Sequence, residues 1–158
     1  MDAAADSGRC CDTPPATGAA IEVREIPVEK RPITLIGFQR MSNLGIGYLA
    51  ATLRREGFPV EIVDYERHPA DILELVQKLK PIAIGFSLIF QFYIRRFGDL
   101  IEYLRVNEVD CHFTMGGHFP TLSYQQALAT IPELDSVVRF EGELTLLELV
   151  RALHAEAD

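Results

Sequence analysis

From residue 33 onward the sequence repeats one alternation five times: a short apolar run of strand length, then a longer stretch with apolar residues at helical spacing. The runs are Ile33–Phe38, Val60–Asp64, Ile82–Ser87, Cys111–Met115 and Ser136–Phe140. The helical stretches are Leu44–Glu56, Ala70–Leu79, Phe90–Val106, Ser123–Thr130 and Glu143–His154. Runs such as ITLIGF and IAIGFS are apolar on both faces, so both faces must be covered, as in parallel sheets flanked by helices. Parallel neighbours need a crossover, and helical crossovers are right-handed. The alternation therefore predicts a five-stranded parallel α/β sheet with helices on both faces, flavodoxin-like, in the strand order 2-1-3-4-5. Ligands of such sheets bind beyond the carboxyl ends of the strands, where strand order reverses, here between the first and third strands.

The rest of the chain bounds the possibilities. Residues 1–20 are rich in Ala, Asp, Pro, Ser and Gly without periodicity and are expected to be a disordered tail. Residues 21–32, broken by Pro27 and Pro32, form a lead-in segment or short edge strand, and 33–155 form the domain. With 158 residues, 48% hydrophobic and 24% charged, a second full domain does not fit. A net charge of -8 argues against a nucleic-acid partner, because tracking phosphates needs concentrated Lys and Arg. No apolar run approaches a bilayer span, and the N-terminus lacks a signal peptide's basic and apolar regions, so no membrane partner and a cytoplasmic location are expected. Cys10, Cys11 and Cys111 contain no C-x-x-C pair; reduced thiols are expected, with Cys111 buried at a strand start.

Four loops at the carboxyl ends carry the candidate site. The first runs Gln39 to Leu44 and enters a helix through Gly45-Ile46-Gly47-Tyr48-Leu49-Ala50, which reads G-x-G-x-x-A with Asp64 ending the next strand. A dinucleotide fingerprint turns directly out of its strand, whereas QRMSN intervenes here, so Gly45 and Gly47 are as well read as letting the helix pack closely on the sheet. The third strand ends Gly85-Phe86-Ser87, then Leu88-Ile89; Ser87 serves either as a ligand donor and acceptor or as a helix N-cap. The fourth ends Met115-Gly116-Gly117-His118-Phe119-Pro120-Thr121. Paired glycines clear side chains where another backbone or a flat ligand must pass, and His118 and Pro120 hold the loop in shape. At the fifth strand's end, Glu143 complements a helix dipole, while Glu141 lacks that explanation.

Taken in order, NLGIGYLAATLRREGFPVEIVD, PIAIGFS, MGGHFPT and VVRFEGELTLLELV resemble the cobalamin-binding domain at the N-terminus of B12-dependent radical SAM enzymes, from about Ile33 to Ala152. The resemblance implies a corrinoid ring across the carboxyl edge, with its nucleotide tail in a groove beside the central strands. It assigns Ser87, Leu88 and Ile89 to the tail, Ile89 standing at the leucine of the family's S-x-L. Gly116 and Gly117 match paired glycines that leave the tail room, with His118 next to them. Phe140-Glu141-Gly142-Glu143 corresponds to the family's G-E-G-E loop near the ring's edge, with Phe140 in place of glycine. A related class, exemplified by methionine synthase and the mutases, carries D-x-H-x-x-G and ligates cobalt through the histidine. Counting back from Gly45, Arg40 and Ser42 hold those positions, so the resemblance implies base-off cobalamin without a histidine lower ligand. The Arg40 to Asn43 loop, followed by Leu44, would then be the nearest cover of its lower face, and the lack of a strong lower ligand would favour methyl transfer out of a methylcobalamin.

The chain has no C-x-x-x-C-x-x-C triad, so no iron-sulfur cluster is expected in it, and a radical SAM partner is expected as another polypeptide or a missing C-terminal domain. The alternatives are a degenerate B12-binding fold acting as an interaction module, and a dinucleotide-binding domain using Gly45 and Asp64. A phosphate-receiving signalling domain would need an aspartate where Ser87 ends the third strand. No nucleophile, base and orienting acid occur together, so the chain alone is not expected to be catalytic.

Overall fold

The computed structural model describes residues 30–40 and 43–157. The tail 1–20, most of the lead-in, Cys10, Cys11 and Ser42 lie outside the described residues. The elements run β1 (Ile33–Gly37), α1 (Leu44–Arg55), β2 (Val60–Asp64), α2 (Pro69–Leu79), β3 (Ala83–Ser87), α3 (Ile94–Val106), β4 (His112–Gly116), α4 (His118–Leu122), α5 (Tyr124–Thr130), β5 (Ser136–Val137) and α6 (Gly142–Ala157). The sheet has the order β2-β1-β3-β4-β5, and every pair is parallel. In its register Gly37 lies opposite Asp64 and Ser87, and Ser87 opposite Gly116, so these strand ends share one edge.

Three elements differ from expectation. The third helix begins at Ile94 after a 3-10 turn over Gln91–Tyr93. The loop expected around His118 and Pro120 is instead the single turn α4, entered through Gly117 at φ 117°. β5 has two residues because the chain leaves the sheet after Val138: Phe140 adopts φ 58°, and its N–H turns to the Thr121 hydroxyl at 3.1 Å.

Period-two alternation along the strands divides the core into two unequal halves. One face of the sheet presents Ile36, Ile84, Phe86, Phe113 and Met115 to α2, α3 and α5, which answer with Ile72, Phe97, Leu104 and Ala127. The other presents Ile33, Leu35 and Ala83 to α1 and α6, through Ile46, Ala50, Leu53, Leu146, Leu147 and Val150. The bulk is distributed very differently over the central strands. β3 and β4 turn phenylalanines and a methionine to the α3 side, but Ala83, Gly85 and Ser87, with Thr114 and Gly116, to the side of α1 and α6.

Arg105 fastens the α3 side to the strand ends opposite the site. Its guanidinium lies 3.7 Å from the Phe113 ring centroid, donates to the carbonyls of Val109, Cys111 and Glu133, and meets Asp135 at 2.7 Å. Cys111 is half-buried just before β4, and burial pushes its thiol up to about 12, which keeps it protonated and unreactive near neutral pH.

Candidate functional site

Small residues on the α1/α6 side leave a groove of about 690 Å³ at the carboxyl edge, within the range of small-molecule sites. It opens between the first turns of α1 and α6. Ser87 and Gly116 stand at its mouth, and one pleat deeper Gly85 and Thr114 form its floor, flanked by Leu35 and Leu146. A Cβ added at Gly85 would come within 2.8 Å of Leu35 Cδ2, so even a methyl there intrudes on the floor.

Asn43 organises the mouth. It caps α1 by accepting from the Ile46 N–H at 3.3 Å, which fixes its amide so that Nδ2 donates to Ser87 Oγ at 3.2 Å. Ser87 thus accepts from Asn43 and keeps its own proton to donate into the groove. It does not cap α3, so the N-cap reading of Ser87 is overturned: the 3-10 turn from Gln91 separates Ser87 from that helix. Asn43 can approach because Gly37 lacks a side chain: a Cβ there would lie 2.6 Å from Ile46 Cδ1 and 3.1 Å from Asn43 Nδ2.

Thr114 gives the floor a hydroxyl, which is tied to side chains outside the groove lining. His112 Nε2 lies 2.8 Å from Ser136 Oγ, which donates to Thr114 Oγ1 at 2.9 Å. Burial lowers the His112 pKa, outweighing the opposing pull of Asp135, and so favours the neutral ring. The mouth is apolar instead. Leu44 from α1, Leu122 from the end of α4 and Phe140 from the β5–α6 loop line it and are 70%, 81% and 72% exposed.

Asn43, Leu44, Gly45, Ser87, Ile89, Gly116, Gly117, His118, Phe140, Glu141 and Gly142 all line this groove. Arg40 and Leu88 do not. Arg40 is exposed and 3.6 Å from Glu66, and the Leu88 side chain is fully buried in the opposite core. Leu88 contributes backbone: its N–H donates to the Gly116 carbonyl at 2.8 Å, and its own carbonyl occupies the place of a Gly117 side chain. Gly117 is therefore required by a passing backbone. The close-packing reading of Gly45 and Gly47 is also overturned: nothing lies within 4 Å of a Cβ at Gly47, and only Asn43 Oδ1, at 3.6 Å, near one at Gly45. Gly85 and Thr114 escaped the sequence reading although a signal existed, since each lies two residues before a candidate on its own strand and so shares its face.

A doubly wound sheet with a groove of small residues at its carboxyl edge and apolar side chains at the groove's mouth defines a ligand-binding α/β domain. The chain belongs to the B12 binding domain family, whose model matches residues 37–150. It is 32% identical over 113 residues to an uncharacterized methyltransferase of Pyrococcus horikoshii, covering 70% of this chain and 24% of that protein. It is 29% identical over 119 residues to the hopanoid C-3 methylase of Methylococcus capsulatus, covering 73% and 23%. It thus spans about a quarter of the length of these curated relatives. A cobalamin-binding protein from Desulfitobacterium hafniense superposes with a TM-score of 0.65 at 13% identity, over 79% of this chain and 60% of that one, a likeness that establishes the fold.

Proposed function

We propose that this chain carries a corrinoid, base-off and without a histidine below the cobalt, and presents it to a radical SAM methyltransferase or cyclase held in another polypeptide or segment. The observation that carries the reading is the shape and lining of the groove. The glycine and threonine floor fits a slender nucleotide tail, and the three exposed apolar side chains at the mouth suit a flat macrocycle wider than the slot. Ser87 would donate to the tail as it enters, with Asn43 holding the hydroxyl in place. Gly116 would pass the tail along β4. Bound cobalamin supplies a cobalt centre able to carry and release a methyl group. Arg40 and Ser42, where the histidine-ligating class has Asp and His, support the absence of a lower histidine ligand.

The relatives' names point to methyl transfer, and three quarters of their length lies beyond the matched part, which supports a separate catalytic portion. Among the described residues no helix is long and apolar enough to cross a membrane, in keeping with work in the cytoplasm. The dinucleotide alternative loses support, because Asp64 is not among the residues that line the groove.

Titration of the chain with hydroxocobalamin, followed by its visible spectrum, tests the proposal. Wild type is expected to bind in the base-off form. Gly85→Val, which pushes an isopropyl group onto the slot floor, is expected to weaken binding by roughly ten- to a hundredfold, as overpacking of a fitted site does. Absence of any spectral change with wild type would reject the corrinoid reading and leave an interaction module.

A further inference from the structure

A second cavity of about 690 Å³ lies on the other face of the sheet, at the carboxyl ends of β1 and β2, and shares no lining residue with the groove. Phe38 and Tyr65, the residues that follow β1 and β2, form its floor; the β2–α2 turn and the face of α3 that carries Arg96 and Tyr103 form its walls. The rings are fixed by the core behind them. Tyr65 stacks on the buried Phe97 with centroids 4.0 Å apart and planes 7° from parallel, and Phe38 packs 5.0 Å from Tyr65 and 4.7 Å from Tyr93. Rings held in this way receive a flat ligand without a further cost of ordering them. The polar groups, by contrast, are unengaged. Among the described residues the hydroxyls of Tyr65, Tyr93 and Tyr103 make no hydrogen bond, and the guanidiniums of Arg67 and Arg96 make no hydrogen bond or ion pair. Burial pushes the Tyr65 hydroxyl up to about 12 against the pull of Arg96, so it stays a proton donor.

The charges narrow what such a cavity can hold. Glu66 is met by Arg40 at 3.6 Å, which leaves Arg67 and Arg96 against the one carboxylate of Asp99, a local positive excess on a chain of net charge -8. The adjoining end of α2 is already satisfied, since Pro69 has no N–H and the Ala70 N–H donates to His68 Nδ1 at 3.3 Å. An anion here therefore falls to the two guanidiniums, which bind phosphate and carboxylate strongly. The tyrosine rings offer faces and edges to a planar system, and Asp99 offers an acceptor to a ring N–H. We propose that this cavity is a second ligand site, for a planar nitrogen heterocycle that carries a phosphate or a carboxylate, as a nucleotide or an indole acid does. The site stands apart from the corrinoid reading, because it lies across the sheet from the groove and uses none of its residues.

Calorimetric titration with AMP and indole-3-acetate tests the site, with adenosine and indole as the same rings without the anion. At least one of the charged pair is expected to bind, and its neutral counterpart about tenfold more weakly or less tightly still. AMP binding identifies a nucleotide as the ligand, and indole-3-acetate binding a free aromatic acid. Arg96→Met keeps the stem and strips the charge, and is expected to weaken the charged ligand by about tenfold or more. Ala70→Trp, at an exposed position in the lining, is expected to fill the cavity and abolish binding while hydroxocobalamin titrates as with wild type. Gly85→Val, in the groove across the sheet, is expected to leave the charged ligand's affinity unchanged. Failure of both charged ligands to bind, a neutral ring that binds equally well, or an affinity that neither Arg96→Met nor Ala70→Trp alters would overturn the proposal. Loss of binding in Gly85→Val would overturn it too, by placing the ligand in the groove. None of these results bears on whether the groove takes a corrinoid, which the hydroxocobalamin titration decides separately.

Discussion

Replacing Gly117 with alanine should unfold much of what the carboxyl edge depends on. The residue has φ 117° and ψ -174°, a region open essentially to glycine alone, and placing alanine there costs about 1–3 kcal/mol before any contact is counted. The new Cβ would also be driven into the Leu88 carbonyl oxygen, 2.8 Å from its carbon and 3.3 Å from the Leu88 nitrogen. All three atoms are backbone, so no rotamer change relieves the overlap. Relief requires β3 and β4 to part where the Leu88 N–H reaches the Gly116 carbonyl at 2.8 Å, a hydrogen bond worth about 1 kcal/mol net. With the overlap itself, the sum is about 3–5 kcal/mol, a large share of the roughly 5–15 kcal/mol that holds an ordinary domain together. Urea unfolding followed by circular dichroism should show a lower midpoint with an unchanged slope. Gly116→Ala, whose nearest neighbour would be the Val138 carbonyl at 3.4 Å, should cost less than about 1 kcal/mol by comparison with typical substitutions. Equal stability of the two variants would refute the reasoning. The same geometry makes a bulky residue at 117 a poor probe of the groove, since it would disturb the fold before it met a ligand.

Two further outcomes follow from the network around β4. Arg105→Met keeps an apolar stem near Phe113 but strips the guanidinium from the Cys111 and Glu133 carbonyls and from Asp135, and should cost about 2–3 kcal/mol in urea unfolding; a loss below 0.5 kcal/mol would mean that water replaces these bonds freely. Burial lowers the pKa of His112, so the unfolded chain takes up its proton first as pH falls, and stability should decline from about pH 6.5, the ordinary histidine value, towards the lower folded value. Unfolding measured across that range should show a flatter profile in His112→Gln, and an identical slope in the variant would assign the pH dependence to other groups.

The parts of the fold legible in the sequence were those fixed by local periodicity. Runs such as ITLIGF, apolar on both faces, call for a sheet covered on both sides, and the spacing between runs leaves room for helical crossovers, so the parallel sheet came with the pattern and its order with the flavodoxin-like reading of five units. What escaped was set by contacts between distant segments. Ser136–Phe140 reads as one apolar run, yet only Ser136 and Val137 pair, because Thr121, far back in the chain, draws Phe140 out of the sheet. Gly45 and Gly47 look like close-packing glycines, but the approach is made by Gly37 beneath Ile46, a relation no local spacing reveals. Ser87 before an apolar stretch looks like a cap until Asn43, 44 residues earlier, claims its hydroxyl. Most of the candidate residues still converge, because strand ends and the loops that leave them share one edge whatever the details of each turn.

The two helices that wall the groove lie far apart in the sequence. Among the described residues α1 is the first helix and α6 the last, and they meet over β1, with Arg151 of α6 bonded to Glu56 at the end of α1. Until α6 arrives, Ile33, Leu35 and the inner side of α1 lack half of their apolar cover, and the slot has only one wall. The slot is therefore complete only once segments 95 residues apart in the chain have met.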